Sequence, residues 1–467
     1  MGFLLSSSIF LALSIALLGA RAAHAQTKPD VSRSSEGSEG RPPAINVERH
    51  ALKNGMKLLI HEDHSVPTVV TYIFYRIGSR NEGPGRTGLS HFFEHMMFNG
   101  AKKYGPKEFD RVMEAAGGAN NAYTDQDVTV YQNWFPPSTA ELIFDLESDR
   151  IQNLSFDPRM IESERQVVAS ERRTSVEANN AGLLDEQLWA GAYVAHPYHW
   201  PVIGWMSDIE HWTIDDLKHH FEMGYAPNNA IMVVAGDITS QEVLRLAAQY
   251  LEPIKPHAPP PLVTTEEPEQ SGERRVSVVK FAQLPILEIG YHVGKTDHPD
   301  YYPLRVLQDV LFFGQSSRLY LRLVDRDQLA LGVDGGMKFA LDPTLFSIFI
   351  QPKENVPVEK IEAALYQELD SLRVKPLTER ELRKARNSLL AGFYRQLKTV
   401  NGKAQAIGNY ELFLGDYRKL FGAAAEYEKV TADDVMRVAR KYFNPANRTV
   451  AVLMPQKDNA ASHGEGQ

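Results

Sequence analysis

Hydrophobic and polar positions along the chain repeat with two periods, near two residues in some segments and near 3.6 in others, and the changes of period mark the elements. Residues 56–60 and 68–75 are apolar and rich in β-branched and aromatic side chains, and an Asn54-Gly55 turn precedes them, which predicts two strands. Residues 127–135 alternate as a third strand. Helical spacing predicts short helices over 90–98 and 107–116, a long one from about Pro158 to Val176, and more helix over 183–189 and 214–221. Mixed strands and helices with hairpin-like connections predict an α+β fold of sheets with packed helices rather than a doubly wound parallel one.

The pattern also repeats. At a constant offset of 218 positions, Thr213, Asp215, Asp216 and Leu217 match Thr431, Asp433, Asp434 and Val435, and Tyr225, Pro227 and Asn229 match Phe443, Pro445 and Asn447. Each copy reads as a Thr-capped helix, a Pro/Asn turn and an apolar strand, over 231–235 in the first and 449–453 in the second. An internal duplication follows, giving two similar domains, each a mostly antiparallel sheet with packed helices. The proline-rich stretch from Pro253 to Pro261 and the polar residues up to Arg275 separate them, so the expected domains are 45–252 and 276–456, with a linker over 253–275.

The ends read differently from this body. Residues 3–18 are apolar and lead to Ala23-His24-Ala25, a small-x-small cleavage pattern, so residues 1–25 are expected to be a signal peptide. No Lys or Arg precedes the apolar run, which leaves an uncleaved anchor as the alternative. Residues 26–44 and 457–467 lack apolar periodicity and read as a flexible leader and tail.

Composition narrows the chemistry. A length of 467 residues exceeds one compact core, and 43% hydrophobic with 23% charged residues is ordinary for a globular body, with no membrane span expected in the mature chain. Net charge is -9 and no Lys/Arg block occurs, which excludes nucleic acid as a partner. The chain has no cysteine, so disulfides, thiolate nucleophiles and sulfur-ligated metals are excluded, and any zinc must use His and carboxylate. Export of a cysteine-free chain suits a bacterial periplasm.

The sharpest chemical feature is His91-Phe92-Phe93-Glu94-His95, within the predicted helix over 90–98. At about 100° per residue, His91 and His95 lie about 40° apart on one face, and Glu94 about 60° from His91 on its other side. Two imidazoles on one face can hold Zn²⁺, and the carboxylate beside them can take a proton from an attacking water. The order H-x-x-E-H is that of the inverzincins. Chance produces such a pattern in a chain of this length roughly 3% of the time, and a pair of core histidines is the plain alternative. A catalytic zinc needs a third protein ligand, and the helix after Pro158 offers Glu164 and Glu171 on one stripe with Val167 and Val168. Glu162, Arg165, Arg172 and Arg173 fall off that stripe and read as a solvated charged face.

These residues resemble the metal site of the pitrilysin, insulysin and mitochondrial processing peptidase family of zinc metallopeptidases. The spacing of 76 positions from His95 to Glu171 fits the family's pattern, as do Gly78-Ser79-Arg80-Asn81-Glu82, His196-Pro197-Tyr198 and Tyr225-Ala226-Pro227-Asn228-Asn229. The resemblance implies one zinc per chain, held by His91, His95 and Glu171, with Glu94 as general base and Glu164 supporting the site. It implies that Asn121, Ala122, Tyr123 and Thr124 form the edge strand to which an extended peptide substrate adds. The length implies the short two-domain branch, whose subunits pair around a chamber.

The second half departs from the pattern. It aligns Arg305, Gln308, Asp309 and Ser388 with His91, Glu94, His95 and Glu171, and cannot build the same site. Where many members carry an Arg and a Tyr seven positions apart, this chain has Val324 and Leu331, which donate no hydrogen bond to a substrate carbonyl. Nearby Arg318, Tyr320, Arg322 and Arg326 read as exposed helix residues. A homologous subunit supplying the Arg/Tyr pair is therefore the expected partner. His61 with His64 and His219 with His220 are poorly disposed as ligand pairs and read as surface. Trp200, Trp205 and Trp212 read as the edge of a core. The leading expectation is an exported zinc endopeptidase acting on short or unfolded peptides; the alternative is a peptide-binding or structural subunit that kept the fold.

Overall fold

The computed structural model describes residues 45–456; the expected signal peptide, leader and tail lie outside the described residues. Strands β1 (Glu48–Ala51), β2 (Lys57–Glu62), β3 (Val69–Tyr75), β4 (Ala119–Thr124), β5 (Thr129–Phe135) and β6 (Ala230–Gly236) form one sheet in the order β1-β2-β6-β3-β5-β4. Strands β7 (Arg274–Lys280), β8 (Ile286–Val293), β9 (Ala330–Gly336), β10 (Thr344–Pro352) and β11 (Arg448–Pro455) form a second, in the order β7-β11-β8-β10-β9. Apart from the extra β1, the two orders are the same. The single parallel pair also recurs, β2 with β6 and β7 with β11, so the duplication read from the sequence is present in the topology.

The first half carries helices α1 (Leu89–Met96), α2 (Glu108–Ala115), α3 (Ala140–Asn153), α4 (Pro158–Arg172), α5 (Asn180–Ala192), α6 (Met206–His211), α7 (Ile214–Gly224) and α8 (Ser240–Leu246). The second carries α9 (Tyr301–Phe312), α10 (Val358–Val374), α11 (Glu379–Gln396), α12 (Val400–Phe413), α13 (Lys419–Lys429) and α14 (Ala432–Tyr442). Thr213 and Thr431 begin α7 and α14 with matching capping boxes to Asp216 and Asp434, and short turns at Pro227–Asn229 and Pro445–Asn447 lead into β6 and β11.

The halves exchange a helix. The first half's α5 packs on β7, β8 and β11, and the second half's α12 packs on β3 and β6. Leu184, Leu188 and Ala192 of α5 share a cluster with Ile286, Leu345 and Ala451 of the second sheet. Each sheet thus has its own helices on one face and a borrowed helix on the other, which explains why every residue of β3 and β6 is buried instead of every second one. Gly408 makes the approach of α12 possible, because a Cβ there would lie 2.0 Å from Cε2 of Phe74. Three ion pairs fix the same helix: Lys403 reaches Asp63 at 2.6 Å, and Glu411 accepts from Arg49 and Lys57 at 3.0 and 2.8 Å.

Several expectations about polar residues are corrected. Arg172 and Arg165 are not a solvated face: Arg172 is buried, donating to Glu186 and to the Gly204 carbonyl, and Arg165 donates to the carbonyls of Ile209 and Trp212. Val167, expected to pack, is exposed, while Val168 is buried. His61 and His220 are buried, not surface, and Arg318 is half-buried between Glu368 and Glu381. Among the described residues no helix is long and apolar enough to cross a membrane.

Candidate metal centre

Helix α1 begins at Gly88, whose left-handed backbone (φ 89°) leaves no room for a side chain, since a Cβ would lie 2.4 Å from the Ile203 carbonyl oxygen. The free N–H groups of Gly88 and Ser90 donate to the two oxygens of Glu82 at 2.6 and 2.7 Å, so a carboxylate caps the positive end of the helix. Phe92, Phe93 and Met96 anchor its apolar side, and the Tyr131 hydroxyl donates to the Phe93 carbonyl at 2.8 Å. The opposite face carries His91, Glu94 and His95.

Asp157 starts α4 by accepting from the N–H groups of Arg159 and Met160, with Pro158 in the first turn. Glu164 and Glu171, seven residues apart, face α1 together. Nε2 of His95 and of His91 lie 3.3 and 3.7 Å from the same Glu171 oxygen, and the three donor atoms fall within 4.8 Å of one another. Tetrahedral ligands about 2.0–2.1 Å from Zn²⁺ stand roughly 3.3 Å apart, so two imidazoles and one carboxylate in this arrangement fit the ion with little movement.

The electrostatics agree with a cation between these groups. Burial, with His95 beside it, pushes His91 down to about 4, which keeps it a neutral ligand. Burial opposes charge on His95 too, yet hydrogen bonds with Glu164 and Glu171 push it up to about 10. Two carboxylates thus favour positive charge at His95, and a cation held by His91, His95 and Glu171 would supply it there. Burial raises the Glu94 carboxyl, although the Thr124 hydroxyl donates to its Oε2 at 2.7 Å and counters part of the shift. Glu164 is held below the usual carboxylate range: burial works against it, and hydrogen bonds from His95 Nδ1 (2.8 Å) and Asn99 Nδ2 (2.5 Å) outweigh burial.

The residues expected to form a substrate strand, Asn121 to Thr124, lie beside this centre on β4. β4 pairs only with β5 among the described residues, with Asn121 opposite Gln132 and Ala122 opposite Tyr131, so its other edge carries no strand. The alternation of a strand turns Ala122 and Thr124 toward α1, and Thr124 reaches Glu94. Tyr123 points the other way, hydrogen-bonding toward Gln405 on α12, so only its backbone is available at the edge.

Three contributions were not read from the sequence. Asn99 holds Glu164 and lies one helical turn after His95, a spacing that could have revealed it. Glu82 and the Thr124 hydroxyl are 12 and 30 residues from Glu94 on other elements, and no local pattern announces either. In the second half, Arg305, Gln308, Asp309 and Ser388 line a cleft of about 450 Å³. There Arg305 donates to Gln308, whose amide reaches the Gly335 carbonyl of edge strand β9 at 3.3 Å. Val324 packs partly buried on the second core, and Leu331 is exposed on β9.

A family model described as insulinase (peptidase family M16) matches residues 57–204, and one described as the peptidase M16 inactive domain matches 211–389. Over 412 residues the chain is 31% identical to the zinc protease PqqE of Helicobacter pylori, an alignment covering 87% of this chain and 93% of the relative. It is 25% identical over 413 residues to the mitochondrial-processing peptidase subunit beta of Lentinula edodes, covering 85% and 87%. The crystal structure of a protease from Helicobacter pylori superposes with a TM-score of 0.85 at 30% identity, covering 88% of this chain and all of that one.

Proposed function

The chain belongs to the M16 peptidase family, and on that premise we propose that it is an exported zinc-dependent endopeptidase, the zinc-bearing subunit of a heterodimer, hydrolysing short or unfolded peptides. The observation that carries this reading is the convergence of His91, His95 and Glu171 beside Glu94 and an open sheet edge. His91, His95 and Glu171 would hold Zn²⁺, which when bound supplies a Lewis acid that polarises the scissile carbonyl and acidifies a water. Glu94 takes the proton from the attacking water and returns it to the leaving amine. Glu164 acts through His95: its Oε1 accepts from Nδ1, which fixes the ring and leaves Nε2 facing Glu171.

Strand addition at Asn121 and Ala122 requires an extended segment with free backbone groups, which favours unfolded peptides over folded proteins. The apolar run at 3–18 and the Ala23-His24-Ala25 pattern support export to the periplasm. The heterodimer rests on Val324 and Leu331, which offer no donor to a developing oxyanion, and on the ion pairs that already occupy Arg318. The same absence favours the second reading, a peptide-binding subunit with little activity of its own. Peptide hydrolysis by the purified zinc-loaded chain, with and without chains co-purified from its host, separates the two. An endopeptidase subunit gains orders of magnitude in rate on adding its partner. A binding subunit stays inactive in every combination in which its own Glu94 is the only base.

A further inference from the structure

Glu94 sits on α1 with its carboxyl nine-tenths buried, and a buried carboxyl that must first accept and then return a proton needs a fixed orientation. Its neighbours on the helix do not provide one. The hydroxyl of Thr124, on a different element, donates to Oε2 at 2.7 Å, and the Thr124 backbone N–H bonds to the same carboxyl. Thr124 is itself the last residue of β4, the strand whose outer edge is open. The turn that follows is tightly held. Arg80 N–H donates to the Gln126 carbonyl at 2.9 Å, and the buried Asp127 carboxylate receives Arg80, the Tyr198 hydroxyl and the Leu341 N–H of the second half at 3.1, 2.7 and 3.0 Å. The strand itself is held by β5 on one side, by α1 and α2 on one face, and by bonds from Asn120 to Asp110 (2.9 Å) and between Tyr123 and Gln405, so the Thr124 hydroxyl is fixed in place beside Glu94.

From this juxtaposition we infer that Thr124 is a positioning residue: its hydroxyl orients the Glu94 carboxyl for proton transfer. The inference rests on the peptidase reading and deepens it. A side chain with only a structural role in the sheet would alter stability, or peptide binding, and would not single out turnover.

The test compares Thr124→Val, which keeps the shape and removes the donor, with Thr124→Ser, which keeps the donor, and with Glu94→Gln. Zinc content is read by elemental analysis, affinity of the zinc-free protein for an extended peptide by calorimetry, and kcat and KM on the same peptide with whatever partner subunit gives the parent chain its full rate. Thr124→Val is expected to lose about 10–100-fold in kcat, with zinc content, peptide affinity and KM unchanged, and Thr124→Ser to recover most of that loss. Normal kcat in Thr124→Val, equal losses in the Val and Ser variants, or a loss confined to peptide affinity would each overturn the proposal. If Thr124→Val fails to fold, the Ser variant and Thr124→Ala carry the same comparison. Failure of the underlying peptidase reading is distinguishable, since the zinc-loaded parent chain would then hydrolyse no peptide with or without a partner, or Glu94→Gln would hydrolyse it as fast as the parent.

Discussion

Gly408→Ala adds one methyl group where the borrowed helix α12 crosses β3. The new carbon would lie 2.0, 2.3 and 2.8 Å from Cε2, Cζ and Cδ2 of Phe74, against the roughly 3.5–4.0 Å that carbon atoms keep. Phe74 is fully buried in a strand flanked by β6 and β5, with Tyr72 stacked 5.7 Å away, so the ring has nowhere to turn. The helix must retreat by more than 1 Å, and its bonds would loosen together: Tyr72 and Trp134 to Asn401 at 2.8 and 2.7 Å, and Lys403 to Asp63. Overpacking of this kind costs about 1–3 kcal/mol, and with those bonds weakened the upper end, ~3 kcal/mol, is expected. Gly422→Ala on α13, with nothing within 4 Å of the added carbon, is the control and should stabilise by about 0.5–1 kcal/mol through helix propensity. Urea denaturation of the two variants, read as the shift in midpoint at constant slope, checks both signs. A Gly408→Ala chain as stable as its parent would refute the close packing of α12 on the first sheet.

Glu164→Gln should retain zinc under saturating metal and lose about 10–100-fold in turnover, measured as kcat with metal content in parallel, because the charged acceptor on His95 becomes a neutral one. Asp63→Asn tests the second tie of α12. Burial opposes the Asp63 charge, but hydrogen bonds from Lys403 and Ser65 lower its carboxyl from 3.8 to about 2. A folded value below the unfolded one means the contribution is present above about pH 4 and disappears as pH falls through 2. The variant should therefore be less stable by about 1–2 kcal/mol at pH 7, with the difference mostly gone at pH 2 and lost only below it, as read by unfolding curves across that range. A zinc chelator should abolish hydrolysis, and added Zn²⁺ restore it, while circular dichroism stays unchanged, because the centre is scaffolded by α1 and α4 and not by the ion.

Much of this was legible in the sequence because it lives in short-range spacing. The positions of His91, Glu94 and His95 on one helical face, the seven-residue step from Glu164 to Glu171, and the Thr-capped repeat of Thr213 and Thr431 all follow from the 3.6-residue period. What escaped depends on partners distant in sequence. Amphipathic spacing shows that α5 and α12 bury a face and is silent on which sheet receives it, so their exchange between halves was invisible. Arg172 looks solvated on a helical wheel because the wheel does not show Glu186 folding over it. His220 similarly reads as surface until Ser90 and the ring of Phe93 are seen against it. The bond from Thr124 to Glu94 spans 30 residues and two elements, beyond the reach of any periodicity.

The central claim is that Glu94 is the base of a centre held by His91, His95 and Glu171. Its most direct test is the hydrolysis rate of zinc-loaded Glu94→Gln on an extended peptide, measured with whatever partner subunit gives the parent chain its full rate. The account predicts a zinc content equal to the parent's and a rate lower by several orders of magnitude, because the amide cannot take the proton from the attacking water. A zinc-loaded Glu94→Gln chain that cleaves at near the parental rate would contradict it.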